Sequence, residues 1–246
     1  MNALPSARLR TIVPPARSIR PFAVLGATLA LLAGTARLQA QTAISNFGQG
    51  SGGSANLGFA FNGAAESRTF SFTTGANVGG YNFSSLTLSF VGSTGSPGTL
   101  TAGLFSAFNS SSGSSPTGLV SSLSITSGAP GSGGSVVFSG TGTLAASTTY
   151  FVSLAAPSAT SSGNYYSYTT SATVNEDSGG LAGWSIGDVG YISLGGGAWT
   201  DGGGAMMSIQ ASAVPEPSTY AAMAGAAMLA YAIWRRRQGA ALIAKT

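Results

Sequence analysis

The chain has 246 residues, with 37 Gly, no Cys, no His and a formal net charge of +4. The missing Cys excludes a disulfide framework, and the two absences together remove the usual zinc, haem, copper and iron–sulfur ligands, so no cofactor and no metal centre is expected. The positive charge is confined to the ends: between Gln41 and Val214 stand one base, Arg68, and five acids, Glu66, Glu176, Asp177, Asp188 and Asp201, a net −4, which leaves no basic face for phosphates and excludes nucleic acid as a partner.

At the amino end, Arg8, Arg10, Arg17 and Arg20 precede an apolar run from Phe22 to Ala33, and Ala-Arg-Leu-Gln-Ala follows. A basic region, an apolar core and a small residue at the cut describe a secretory signal peptide. Residues 1–40 are therefore expected to be removed between Ala40 and Gln41, with the secretory translocon and signal peptidase as partners. No adjacent Arg pair precedes the apolar run, which argues against twin-arginine export.

Residues 41–213 form the expected exported domain. Their apolar side chains alternate with small polar ones, as in Leu86, Leu88 and Phe90, then Leu100, Ala102 and Leu104, then Tyr150, Val152 and Leu154. Period two predicts half-buried strands. Further strands are predicted at 68–74, 119–125, 135–142, 165–173, 191–194 and 206–213, separated by turn clusters such as Gly95-Ser96-Pro97-Gly98 and Gly128-Ala129-Pro130-Gly131. Gly79-Gly80 is read as a tight turn before a strand near Ser84. No convincing amphipathic helix interrupts this region, so the expected fold is all-β, an antiparallel, jelly-roll-like β-sandwich.

Chemistry is sparse within that domain. With no His and no Lys between Gln41 and Val214, Ser-His-Asp and Ser-Lys nucleophilic mechanisms are impossible there. Five acids could supply a carboxylate pair for hydrolysis, such as Glu66 with Asp188, but their Gly-rich surroundings suit turn capping and solubility better. Asn175, Glu176, Asp177 and Asp201 are oxygen donors of the kind calcium takes, without the spacing of a known calcium loop. Trp184 and Trp199, with Tyr165, Tyr166, Tyr168 and Tyr191, could stack on sugars; the competing reading places Trp184 and Tyr191 in the core or at its rim. The chain is expected not to be an enzyme.

The carboxyl end is the most specific. Val214-Pro215-Glu216-Pro217 is followed by Ser218-Thr219, an uncharged run from Tyr220 to Trp234, and Arg235-Arg236-Arg237. The prolines lack N–H donors and hold their predecessors extended, so the motif is expected to be an exposed, extended grip, with the helix N-cap at Ser218 or Thr219. Fifteen uncharged residues span about 22 Å as a helix at about 1.5 Å per residue, short of the roughly 30 Å of a bilayer core. A transmembrane helix is nevertheless expected over this stretch, with its arginines as a cytoplasmic stop.

Val-Pro-Glu-Pro-Ser-Thr, the small-residue stretch and the arginine cluster resemble the PEP-CTERM sorting signal, placed here at 214–238, with 239–246 left as a cytoplasmic tail. The resemblance implies processing by an exosortase, a membrane transpeptidase-like enzyme of Gram-negative bacteria that make exopolysaccharide. It makes Pro215, Glu216 and Pro217 the recognised motif of a substrate.

A second succession, Ser71-Phe72-Thr73-Thr74-Gly75-Ala76-Asn77-Val78-Gly79-Gly80-Tyr81, Ser84-Ser85-Leu86-Thr87-Leu88, Ser96-Pro97-Gly98-Thr99-Leu100 and Leu144-Ala145-Ala146-Ser147-Thr148-Thr149-Tyr150-Phe151-Val152, resembles the choice-of-anchor R domain over roughly 46–213. That family implies a bacterial surface domain without an assigned reaction. Together the resemblances imply an exported, transiently anchored structural protein of the outer surface or matrix, associated with exopolysaccharide or biofilm. The alternatives are a cell-surface carbohydrate-binding module, with Trp184 and Trp199 as contacts, and a carboxylate-dependent hydrolase.

Overall fold

The structure is a computed structural model describing residues 39–58, 66–112, 114–159, 161–173, 175–177, 179–187, 190–194 and 198–243. The signal-peptide expectation, apart from its boundary at Ala40 and Gln41, lies outside these residues, as do Asp188 and the last three residues of the tail.

Among the described residues thirteen strands follow one another: β1 (Gln41–Ser45), β2 (Ser51–Gly58), β3 (Glu66–Thr73), β4 (Tyr81–Thr94), β5 (Thr101–Ala107), β6 (Thr117–Ser127), β7 (Gly134–Leu144), β8 (Thr149–Ala155), β9 (Tyr165–Ser171), β10 (Ser185–Ile186), β11 (Gly190–Leu194), β12 (Trp199–Gly202) and β13 (Met207–Ala213). A single helix, α1 (Pro217–Ile243), ends the described chain. Every strand pair is antiparallel, as period-two patterning with short turns requires.

The expected all-β, antiparallel architecture is observed, and the sheet is curled into a half-barrel, with its strands in the order β1-β13-β4-β7-β6-β5-β8-β3-β11-β12, β9 joining β4 to β2 and β10 lying on β3. The reason lies in β6. Its first part pairs with β5 through Leu119 and Leu123, and its last part pairs with β7 through Ser124 and Ile125. One long strand thus passes from one half of the curled sheet to the other. Bulges beside this exchange, at Leu104/Phe105 and Ile125/Ser127, add the local bend and twist that curl the sheet.

The inside of the curl is the core. Phe70 and Phe72 of β3, Leu86 and Leu88 of β4, Phe138 of β7 and Val152 of β8 are all buried. Each sits two residues from a buried neighbour on its own strand, so alternation alone directs these side chains inward. β4 begins at Tyr81 rather than near Ser84, because Gly80, with φ +75°, completes the turn and releases the ladder at once.

Helix α1 differs from the rest. Its described side chains, Pro217 to Arg236, are all exposed, including Met228, Leu229 and Tyr231. It continues past the arginines to Ile243, where a tail was expected. No helix among the described residues is long and apolar enough to cross a membrane. A helix forms where the transmembrane one is expected, and Ala and Gly dilute its short uncharged stretch.

Candidate functional site

The last strand runs directly into the motif. Ala213 of β13 still pairs with Tyr81 of β4, and the next residue, Val214, donates its N–H to the carbonyl of Gly80 at 2.9 Å. The Val214 carbonyl accepts a hydrogen bond from Asn77 Nδ2 at 2.9 Å, and the same nitrogen reaches the Gly80 carbonyl at 2.6 Å. The turn that carries Asn77 is fixed in its own right. Gly80 N–H donates to the Asn77 carbonyl at 2.8 Å, and Asn77 N–H donates to Tyr81 Oη at 3.2 Å.

Gly79 faces the motif so closely that an added Cβ would lie 2.5 Å from the Val214 carbonyl oxygen and 3.4 Å from that of Pro215. Val214, Pro215 and Glu216 are half-buried, and Pro217 is exposed. The freely exposed grip expected from the prolines is therefore corrected for the first three residues: the β3–β4 turn covers one side of them. The expected cap at Ser218 or Thr219 also moves. The helix starts at Pro217, where a proline's missing N–H removes a donor that no helical carbonyl would have accepted. Thr219 N–H donates to the Glu216 carbonyl at 2.9 Å, and Ser218 Oγ donates to Glu216 Oε2 at 3.4 Å. Farther along α1, Arg235 and Arg236 are exposed and Arg237 lies within the helix.

The other candidate residues are dispersed. Trp184 is buried in the core, stacked on Phe72 and edge-on to Tyr81. Its ring faces are covered, so the sugar-contact expectation does not fit its position. Trp199 is also buried, and its Nε1 donates to the Ser114 carbonyl at 3.0 Å. It lies on the outer face of the sheet among half-buried Phe108 and Tyr191, with Phe151 on the far side of Phe108.

Three of the domain's carboxylates, Glu66, Asp177 and Glu176, have structural partners. Glu66 is buried against Arg68, 3.3 Å away; burial pushes its carboxyl above the usual range while the Arg68 charge and hydrogen bond pull it back. Asp177 accepts the Gly48 N–H at 2.8 Å, Ser45 Oγ–H at 2.9 Å and Gln49 Nε2–H at 3.1 Å. These donors, the Gly48 N–H foremost, hold its carboxyl below the usual range despite some desolvation. Glu176 Oε1 accepts the Ile186 N–H at 2.9 Å, and Asp201 is exposed on β12 opposite Tyr191. Among the described residues no group of three or more Asp, Glu, His or Cys is placed to hold a metal ion. A shallow groove along β4 and β7 is lined by Asn82, Phe83, Thr141, Gly142 and Thr143, without a titratable group.

Sequence reasoning missed Asn77. Its only local signal is the Asn-Val-Gly-Gly turn, and its partner Val214 lies 137 residues away.

Residues 213–237 match the family model of the PEP-CTERM protein-sorting motif. No curated protein and no solved structure matches the chain. The match begins at the last residue of β13 and ends at the last of the three arginines, so it overlaps the β domain by Ala213 alone.

Proposed function

We propose that the PEP-CTERM sorting motif at residues 213–237 marks an exported protein, held transiently at the membrane and processed there by an exosortase, and that the β domain is the non-enzymatic cargo of this signal, a structural protein of the outer surface or extracellular matrix in exopolysaccharide or biofilm. On this reading the translocon exports the chain, signal peptidase cuts after Ala40, and α1 engages the inner membrane until the exosortase acts near Pro215–Pro217. The observation that carries it is the direct succession of folded strand, Pro-Glu-Pro and an apolar helix exposed along its described length. Among the described residues nothing packs on the uncharged stretch of this helix, and lipid or a membrane enzyme would cover it.

The test is the intact mass of the mature protein in cells with and without the exosortase. Loss of the segment beyond about Pro217 only with the enzyme present is expected, and retention of Arg235–Arg237 in both strains would overturn the reading.

A second reading, a surface carbohydrate-binding module, draws on the outer-face cluster of Phe108, Tyr191 and Trp199. The half-buried rings of Phe108 and Tyr191 offer apolar area for a sugar face. Retention on a glycan panel, lost in Tyr191→Ala, would support it, and no retention on any glycan would dispose of it.

A further inference from the structure

We infer that Asn77 is a positioning residue for the processing reaction: its side chain fixes the Pro-Glu-Pro segment to the folded domain, so that the exosortase meets the motif as a rigid continuation of β13. The inference rests on the reading of the chain as an exosortase substrate and adds a residue that lies outside the matched motif.

Three observations converge on it. First, the domain and the motif share no linker, because Ala213 pairs with Tyr81 and Val214 still donates to Gly80. Second, one amide nitrogen of Asn77 bridges two carbonyls, those of Gly80 and Val214. Both hydrogen-bonding groups of the Val214 backbone are therefore occupied by one turn. Third, that turn is anchored to the core through Tyr81, which is buried and edge-on to Trp184 at 4.9 Å. Immobility at Val214 passes to the residues after it, since Pro215 and Pro217 each hold φ near one value. Glu216 is left as the one residue of the motif with two soft dihedrals.

An enzyme that binds a preset segment avoids the ordering cost it would meet with a free tail. The gain should appear in recognition rather than in the chemical step, because Asn77 touches Val214 and not the residues beyond it. The close approach of Gly79 serves the same end, for a larger residue there would push the Val214 carbonyl out of reach.

The experiment uses the full exported chain and a membrane-reconstituted exosortase, with KM and kcat measured separately. Asn77→Ala is expected to raise KM by about fivefold with kcat nearly unchanged, the size of effect that a few newly freed rotations produce. Asn77→Asp keeps the turn-forming character but replaces the bridging donor with an acceptor, so it should match Asn77→Ala; a role in turn formation alone would leave it near wild type. A Gly-Gly-Ser insertion between Ala213 and Val214 leaves the turn intact, frees the motif and should raise KM to a similar degree. That insertion also keeps the inference testable if either Asn77 variant folds poorly. An unchanged KM in the insertion variant, or faster processing of any of the three, would overturn the positioning role. A wild-type chain that is not processed at all would instead overturn the sorting reading beneath it.

Discussion

The indole of Trp184 lies nearly parallel to the ring of Phe72, with centroids 5.7 Å apart and planes 5° from one another. Tyr81 closes its edge at 4.9 Å, so this ring serves the core. Trp184→Ala should cost about 3–5 kcal/mol, the range for emptying a large buried aromatic site. Its buried Nε1 has no hydrogen-bond partner among the described residues, so Trp184→Phe, which also removes that atom, should cost distinctly less. Urea denaturation of the two variants checks the order; equal losses would show that the ring stack contributes little.

Glu66 and Arg68 form a buried ion pair, 9% and 8% exposed. Removing one partner from such a pair commonly costs about 3–5 kcal/mol, because the other is left charged and dry. Arg68→Met is expected to fall in that range near neutral pH. The sign of the pH effect follows from the raised carboxyl. The folded state binds the Glu66 proton more tightly than the unfolded state, so stability declines as pH rises from the ordinary value of 4.5 through the raised one. Without Arg68 that window widens upward, and the variant should lose more stability at pH 8 than at pH 4. A loss independent of pH would refute this account.

Asp177 predicts the opposite slope. Its carboxyl is held below the ordinary value of 3.8, so its contribution is present above that value and disappears as pH falls through the lowered one. The group is partly exposed, and screening keeps the effect of Asp177→Asn near about 1 kcal/mol. The visible consequence should be local. The segment 175–187 loses its tether to Gly48 and Ser45, and limited proteolysis should nick it faster at neutral pH than in the wild type.

Truncation should separate the helix from the fold. No described side chain from Pro217 to Arg236 is buried, whereas β13 lies between β1 and β4 and contributes Met207 and Ile209 to the core. A chain ending at Val214 should melt within about 2 °C of the full-length protein, a shift worth under 1 kcal/mol for a domain of this size. A chain ending at Met206 should not fold. Calorimetry decides both.

Where strands alternate apolar and small polar residues, as in β4, β8 and β13, the sequence located them within a few residues. β2 escaped because Ser-Gly-Gly-Ser-Ala-Asn-Leu-Gly has almost no apolar period; it is extended because β9 pairs with it from Tyr165 to Ser171. The single curled sheet escaped for a related reason. Periodicity reports which face of a strand is buried, and it is silent on which neighbour receives the ladder, the question that β6 settles. The motif was legible because proline and arginine act locally. The Asn77 clamp was not, because an amide that bridges two carbonyls looks in sequence like any turn asparagine. Trp184 carried two readings because an indole suits both a core and a sugar face, and its burial against Phe72 agrees with the core one.

β1 pairs with β13 so that Gln41 stands opposite Ala211. The first strand of the domain therefore starts at the corner where the last one leaves for the motif. Traction applied between Gln41 and Val214 would unzip these two strands one hydrogen-bonded pair at a time, the weak direction for an antiparallel ladder, rather than shear them together. A domain hung from Val214 alone carries no such traction, because no force then crosses the β1–β13 seam. Attachment through Val214 alone would leave this seam unloaded, and single-molecule pulling between Gln41 and Val214 should find rupture beginning there.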